Sequence, residues 1–308
     1  MRKKDTSHKG NSSTGKKTHA FTRFEKEQTQ DYPKPSKAKK ERRKQTKKAQ
    51  KEGFRRKTNA YPYPLNKYLA HCGVCARRKA VEHIKEGQVK VNNKTILEPG
   101  FKVERKDKVY FNNKPIRIQQ RLEYLLLNKP KDCLTTTNDP RGRRTVMDYI
   151  RHASQERVYP VGRLDRNTSG LLLITNDGDL AQHLSHPSGE IEKIYHATLN
   201  KPLTQKDFDQ IISGLELEDG FIAPDAIAFP NNTDHTQVGI EIHSGRNRIV
   251  RRIFEQLGYE VKNLDRVVYA GLTKKNLTRG KWRSLTEKEV RTLKHFNKSK
   301  KKTPQKRK

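Results

Sequence analysis

Apolar residues enter this chain late. Over residues 1–60, Phe21, Phe24 and Phe54 stand scattered among Lys, Arg, Ser, Thr, Gln and Asn, with no period. Such a segment buries too little surface to offset the entropy of ordering it, so 1–60 is expected to be disordered. Within it, Lys37 to Glu52 could become helical on a polyanion, while a plain solubility tail stays open as the other reading. From Tyr63 onward a period appears. Leu65, Leu69, Val74, Ala76, Ala80, Val81 and Ile84 recur at helical spacing, and Gly73 breaks the run into two short helices. Gly87 ends the second. Val89 and Val91 alternate like a strand, Asn92-Asn93 is a turn, Ile96 and Leu97 open another strand, and Val109 to Phe111 close it. These elements make a small helical and β module over 61–112. The polar run 113–121 then reads as a linker.

A second pattern fills 122–292. Glu123 to Lys129 is an apolar strand that Pro130 stops. Leu171 to Ile174 is a short buried strand. Asp179 to Ser185 is a helix, Glu192 to Leu199 a strand, Gln205 to Gly214 a helix and Val238 to His243 a strand. Arg248 to Gly258 is an amphipathic helix, and Val261, Leu264, Val267, Val268 and Tyr269 form later strands. Strands dominate, with helices between them in irregular order. That predicts an α+β fold with a mixed, largely antiparallel sheet.

Charge changes the picture. The 308 residues carry a formal net charge of +34, unevenly spread. Residues 1–60 hold 21 Lys/Arg against 6 Asp/Glu, and residues 293–308 hold 8 Lys/Arg and no acid. The basic segment 293–308 is expected to be a second disordered tail. Clustered cations of this kind point to a polyanion partner through counterion release. A membrane surface fits less well, because the tails have no amphipathic apolar face. No apolar run has transmembrane length, and no apolar core follows the basic start, so neither a membrane span nor a secretion signal is expected. Three cysteines in a chain of this length suit a reducing, cytoplasmic setting.

Few motifs carry chemistry. Cys72-Gly73-Val74-Cys75 has CxxC spacing beside His71, but no second Cys/His pair stands where a zinc site needs one, and no thioredoxin-like context surrounds it. Buried thiols are the better reading, and no metal is expected. His183 and His186 read as structural or RNA-facing. No Walker loop or dinucleotide glycine pattern occurs, so no organic cofactor is expected. The most informative run is Val161 to Gly178. Asp165 stands there between Arg163 and Arg166, bracketed by Gly162 and Gly170, at the mouth of the apolar run. Neighbouring cations favour the ionised form of an acid, which can then serve as nucleophile or base. On spacing alone, an ion pair at a strand end is the simpler account.

The run GRLDRNTSGLLLITNDG resembles the catalytic motif of pseudouridine synthases of the RsuA/RluB branch. Three more segments resemble that family in order. They are Tyr124 to Lys131, Lys193-Ile194-Tyr195, and Gly245 to Arg252. The module over 63–112, through Leu65 to Ala70, Gly73, Arg77-Arg78-Lys79-Ala80 and Gly87 to Asn92, resembles the S4 RNA-binding domain. The resemblance implies that Asp165 is the essential catalytic residue, that Tyr195 stacks on the target base and helps the final proton removal, and that Arg251 pairs with the catalytic Asp. An aromatic in a sheet core is the alternative for Tyr195. Phosphate contacts are implied for Lys67, Arg77, Arg78 and Lys79 on the S4 helices, with Arg163, Arg166, Arg248 and Arg252 added around the cleft. Many relatives carry Gln where this chain has Ile249. The implied activity is isomerisation of one uridine to pseudouridine by a monomer without cofactor, most simply in ribosomal RNA or a ribosome-assembly intermediate. The segment from His186 to Tyr195 leans toward large-subunit rRNA. A small-subunit rRNA or tRNA target, and a non-catalytic RNA-binding or ribosome-assembly factor, are the alternatives.

Overall fold

A computed structural model of the chain describes residues 54–55, 61–119, 121–186, 190–231 and 233–295. The described residues fall into two units: 192–271 form one, and the rest form the other.

The larger unit opens with β1 (Phe54–Arg55), β2 (Tyr63–Pro64), α1 (Leu65–His71) and α2 (Arg77–Lys85). Leu65, Leu69, Ala80 and Ile84 are buried together, as their spacing predicts. Val74 and Ala76 fall in the turn between the helices and lie outside that core. Gly73 makes the break at φ +78°, where a side chain would meet the Gln119 amide. A four-stranded sheet follows, made of β3 (Val89–Val91), β4 (Lys94–Thr95), β6 (Val109–Phe111) and β7 (Lys114–Ile116), while β5 (Lys102–Val103) pairs back with β2. Leu97 does not open a strand; it lies in a loop and is 60% exposed.

Part of the span expected as a linker is structured. β7 pairs antiparallel with β6, and Ile118 is buried in the core of the small module. β8 (Arg121–Leu122) pairs with β1. A polar, proline-bearing stretch hides this behaviour, because edge pairing is made by the backbone. Apart from β1, the expectation of disorder over 1–60 lies outside the described residues, as does the tail beyond His295.

The same unit continues with β9 (Tyr124–Lys129), β10 (Tyr159–Pro160), β11 (Thr168–Thr175) and α3 (Gly178–Ser185). β9 and β11 pair antiparallel, from Gly170 opposite Lys129 to Thr175 opposite Tyr124. All residues of both strands are buried, so β11 is longer than its apolar letters suggest. Its ends, Thr168, Ser169 and Thr175, are polar yet enclosed. The Asp177 side chain caps α3 by accepting from the Leu180 amide at 3.2 Å.

The unit 192–271 holds β12 (Lys193–Leu199), α4 (Gln205–Ser213), β13 (Leu215–Leu217), β14 (Gly220–Ile222), β15 (Ala226–Ala228), β16 (Gln237–Ile242), α5 (Ile249–Gln256) and β17 (Val261–Tyr269). β12 lies between β16 and β17, antiparallel to both, and β15 lies outside β16. Phe208, Ile211, Ile253 and Phe254 of the helices join Ala197, Ile240 and Leu264 of the strands in one core. The chain then returns to the larger unit as β18 (Trp282–Ser284), which pairs with β9, and α6 (Glu287–His295). α6 runs three residues into the span expected as a basic tail, because Leu293 is fully buried. The described strand pairs within each unit are antiparallel, with a parallel bridge between Leu134 and Thr145. Among the described residues no helix is long and apolar enough to cross a membrane.

Candidate active site

The most organised polar feature of the larger unit is a buried cation. Lys129 ends β9 and is 0% exposed. Its ammonium donates to the carbonyl oxygens of Thr168 at 2.8 Å, Asp165 at 3.0 Å, Pro130 at 3.1 Å and Arg166 at 3.3 Å. An ammonium has three N–H donors, so four oxygens saturate it. Burial pushes the Lys129 pKa down, and Asp165 is among the nearby acids that resist the shift. The turn carrying Asp165 is therefore built around Lys129.

Other bonds fix the same turn. The Asp165 carbonyl also accepts from the Thr168 amide at 3.1 Å. Thr135 donates through Oγ1 to the Leu164 carbonyl at 2.7 Å, and the Asp132 amide donates to the Arg166 carbonyl at 2.9 Å. Gly162 enters at φ +69°, a conformation that favours glycine. With its backbone held from below, the Asp165 side chain is exposed.

The flanking arginines behave differently from the sequence expectation. Arg166 turns its Nε to Asp132 at 3.3 Å, and Arg163 is exposed. The buried cation close to Asp165 is Lys129 instead.

In the other unit, Tyr195 is partly buried on β12 against the core that includes Ile240. The ladder between β12 and β17 shifts register between Ile194 and Tyr195, so Tyr195 lies opposite Arg266. A bulge of this kind re-aims a side chain. Lys193, two residues earlier, donates to the His243 carbonyl at 2.6 Å. Burial first, and then Arg266, push the Lys193 pKa down to about 8.

Arg251 is buried on α5 and donates through Nη1 to the Val261 carbonyl at 2.6 Å. Ile249, at the position where Gln was the alternative, is buried in the core. Arg248 stands just before the helix in the left-handed conformation, φ 48°, and pairs with Glu255 at 3.0 Å. Arg252 grips Asp219 with two arms, at 2.9 and 2.7 Å, which lowers the Asp219 pKa. On the S4 helices, Arg77 and Arg78 are exposed. Lys79 pairs with Glu82 at 2.6 Å and Lys67 with Asp179 at 2.9 Å. Cys72 and Cys75 pack at the edge of the small core, and Cys133 is buried with its Sγ 3.6 Å from the Pro130 carbonyl. Among the described residues no group of three or more His, Cys, Asp or Glu could hold a metal ion.

The profile of the family described as RNA pseudouridylate synthase matches residues 123–256, and that of the S4 domain matches 64–109. The chain is 41% identical over 232 residues to the ribosomal large subunit pseudouridine synthase B of Bacillus subtilis, covering 74% of this chain and 94% of that protein. The chain belongs to the RNA pseudouridine synthase family. It is also 40% identical to an uncharacterised RNA pseudouridine synthase of Aquifex aeolicus, covering 74% of this chain and 92% of that protein. A crystal structure of a pseudouridylate synthase superposes with a TM-score of 0.54 at 26% identity, over 74% of this chain and 98% of that one. The matched synthase segment holds Asp165, Tyr195 and Arg251, and the matched S4 segment holds Lys67, Arg77, Arg78 and Lys79. Residue-by-residue reasoning gave no role to Lys129, Thr135 or Lys193, whose hydrogen bonds hold the turn of Asp165 and the strand of Tyr195. A lysine closing an otherwise apolar strand was the available signal for Lys129.

Proposed function

We propose that this pseudouridine synthase modifies ribosomal RNA of the large subunit, with Asp165 as the catalytic group. The observation that carries the catalytic assignment is an exposed carboxylate on a turn whose carbonyls are gathered by one buried lysine. Preorganisation of that kind keeps a reacting group in place without cost at the moment of reaction. A uridine inside a duplex stack is out of reach, so it must be flipped to meet Asp165. Asp165 then drives cleavage of the C1′–N1 bond, by adding to C1′ or by taking a sugar proton. The freed uracil turns, C5 bonds to C1′, C5 loses its proton and N1 carries one. Composition is unchanged, so the reaction needs no co-substrate, and the chain works without cofactor as a monomer.

The names of the similar proteins from Bacillus subtilis and Buchnera aphidicola support the choice of large-subunit rRNA. Tyr195 is proposed to stack on the flipped base and Arg251 to steady the catalytic carboxylate, as the family resemblance implies. Arg77 and Arg78, exposed at the start of α2, are the proposed phosphate contacts of the S4 module. None of the three cysteines is in a disulfide, which suits a reducing cytoplasm.

Two measurements test the reading. Pseudouridine is mapped in rRNA from cells with and without the protein, and one large-subunit position should depend on it. Asp165→Asn should then remove turnover by roughly 10⁴-fold or more while RNA affinity stays within about twofold, because the amide keeps the shape and loses the charge. Turnover near wild type in the Asn variant would remove Asp165 from the chemistry.

A further inference from the structure

We propose that the turn Asn176–Asp179 is a docking joint that holds the S4 module at a fixed reach from Asp165, and so helps to decide which uridine is modified. The proposal rests on the reading that the S4 face grips the RNA. β11 has two ends: one follows directly from the Asp165 turn, and the other runs into Asn176. The joint is thus the far end of the strand that positions the catalytic loop.

Asn176, Asp177 and Asp179 each hold a different piece. Asn176 accepts from the Glu123 amide at 2.9 Å and donates to the Arg121 carbonyl at 2.9 Å, with the Gln119 side chain 3.4 Å away. These bonds pin the strap that leaves the S4 module. Asp177 accepts from the Tyr124 hydroxyl at 2.6 Å and lies 3.5 Å from Lys294 of α6. An added Cβ at Gly178 would stand tightly against the Tyr159 hydroxyl of β10, at 3.1 Å, and in ordinary contact with His71 Nε2 of the S4 module, at 3.6 Å. Asp179 pairs with Lys67 at 2.9 Å. On the S4 side, the Gln119 amide donates to the His71 carbonyl at 3.0 Å, and its side chain fills the space that Gly73 leaves open.

Asn176, Asp177 and Asp179, within four consecutive residues, therefore bind α1 of the S4 module, its exit strap, the catalytic sheet and the C-terminal helix. Lys67 then serves the joint through Asp179 rather than standing free for a phosphate. A hinged S4 module would let Arg77 and Arg78 grip RNA at many distances from Asp165. A docked one fixes that distance, as a ruler does.

The test uses full-length protein and two variants that open the joint differently. Asp179→Lys sets a like charge against Lys67. Gly178→Val drives a side chain against Tyr159 and His71, at a position whose backbone accepts one. Hydrogen exchange is read at 119–123, and kinetics are read on a large-subunit rRNA transcript and on a short oligonucleotide carrying the same uridine but too small to reach the S4 face. Both variants should speed exchange at 119–123 by about tenfold or more while 125–128 in β9 stays protected. KM on the transcript should rise roughly fivefold, extra uridines should be modified, and kcat on the oligonucleotide should stay within about twofold. Unchanged exchange in both variants, or an opened joint with wild-type KM and an unchanged product map, would overturn the proposal. A wild-type protein that makes no pseudouridine in either RNA would overturn the functional reading, and exchange alone would then decide whether the joint exists.

Discussion

Lys129 shows how much of this site depends on a residue that never needs to touch substrate. Replacing its ammonium with an isosteric apolar chain would take this donor from the carbonyls of Pro130 and Thr168, while those of Asp165 and Arg166 would keep only the Thr168 and Asp132 amides. A buried acceptor left without a donor costs about 1–3 kcal/mol, and several share this one donor. Lys129→Met should therefore reduce stability in urea unfolding by about 3 kcal/mol, with turnover falling further than the folded fraction does. Equal falls in stability and turnover would reduce Lys129 to a packing residue with no special tie to the Asp165 turn. Lys129→Arg offers no rescue, because a planar fork cannot reach the same oxygens as a compact ammonium.

Among elements, β12 is tied to the approach of α5 by one half-buried cation. Lys193 donates to the His243 carbonyl, while the His243 ring pairs with Asp225 and the Asp225 amide donates to the Glu241 carbonyl. The segment before α5, which carries Arg251, is thus held to the strand that carries Tyr195. Folding lowers the Lys193 pKa from 10.5 to about 8. Below pH 8 the folded chain bears the full penalty of a buried ammonium. Between pH 8 and 10.5 the unfolded chain binds more proton than the folded one, so this group makes stability rise with pH. In Lys193→Met that contribution disappears. The stability difference between wild type and variant should drift by about 1–2 kcal/mol in favour of wild type from pH 7.5 to 10.5, after allowance for partial solvent screening. A pH-independent difference would mean that Lys193 is charged and solvated in the folded chain.

The elements also show where sequence pattern reaches its limit. Helix α3 and strand β12 were legible to within one residue, because capping by Asp177 and apolar alternation both leave marks in the letters. β11 was seen at half its length, since Gly170 and Thr175 join it by pairing with β9, and Thr168 and Ser169 are buried beyond that pairing, without hydrophobic letters to mark them. β7 was hidden inside an apparent linker for a similar reason. Asp165 was singled out through resemblance. The cation beneath it was not, because Arg163 and Arg166 are its neighbours in sequence and Lys129 is its neighbour in space.

For the whole molecule, charge and shape divide the work. Residues 1–60 and 293–308 carry 23 of the 34 excess positive charges, and few apolar residues accompany them. A segment without apolar residues builds no pocket, so its contribution should be attraction to phosphates, which positions a protein without reading sequence. Site choice should instead come from the S4 module, the cleft around Asp165 and the joint between them. α6 must be spared in the test, because it runs to His295 and buries Leu293. The strand pair of Phe54–Arg55 with Arg121–Leu122 must be spared as well. Removal of residues 1–50 and 297–308 should then lower RNA affinity and reduce the slope of log K against log salt by several units, since every phosphate no longer neutralised takes about 0.7–0.9 from it. The modified uridine should stay the same. Binding at several salt concentrations and product mapping on the same rRNA check both halves. A trimmed enzyme that keeps the full salt slope, or that modifies a different uridine, would show that the tails select the site rather than hold the RNA near it.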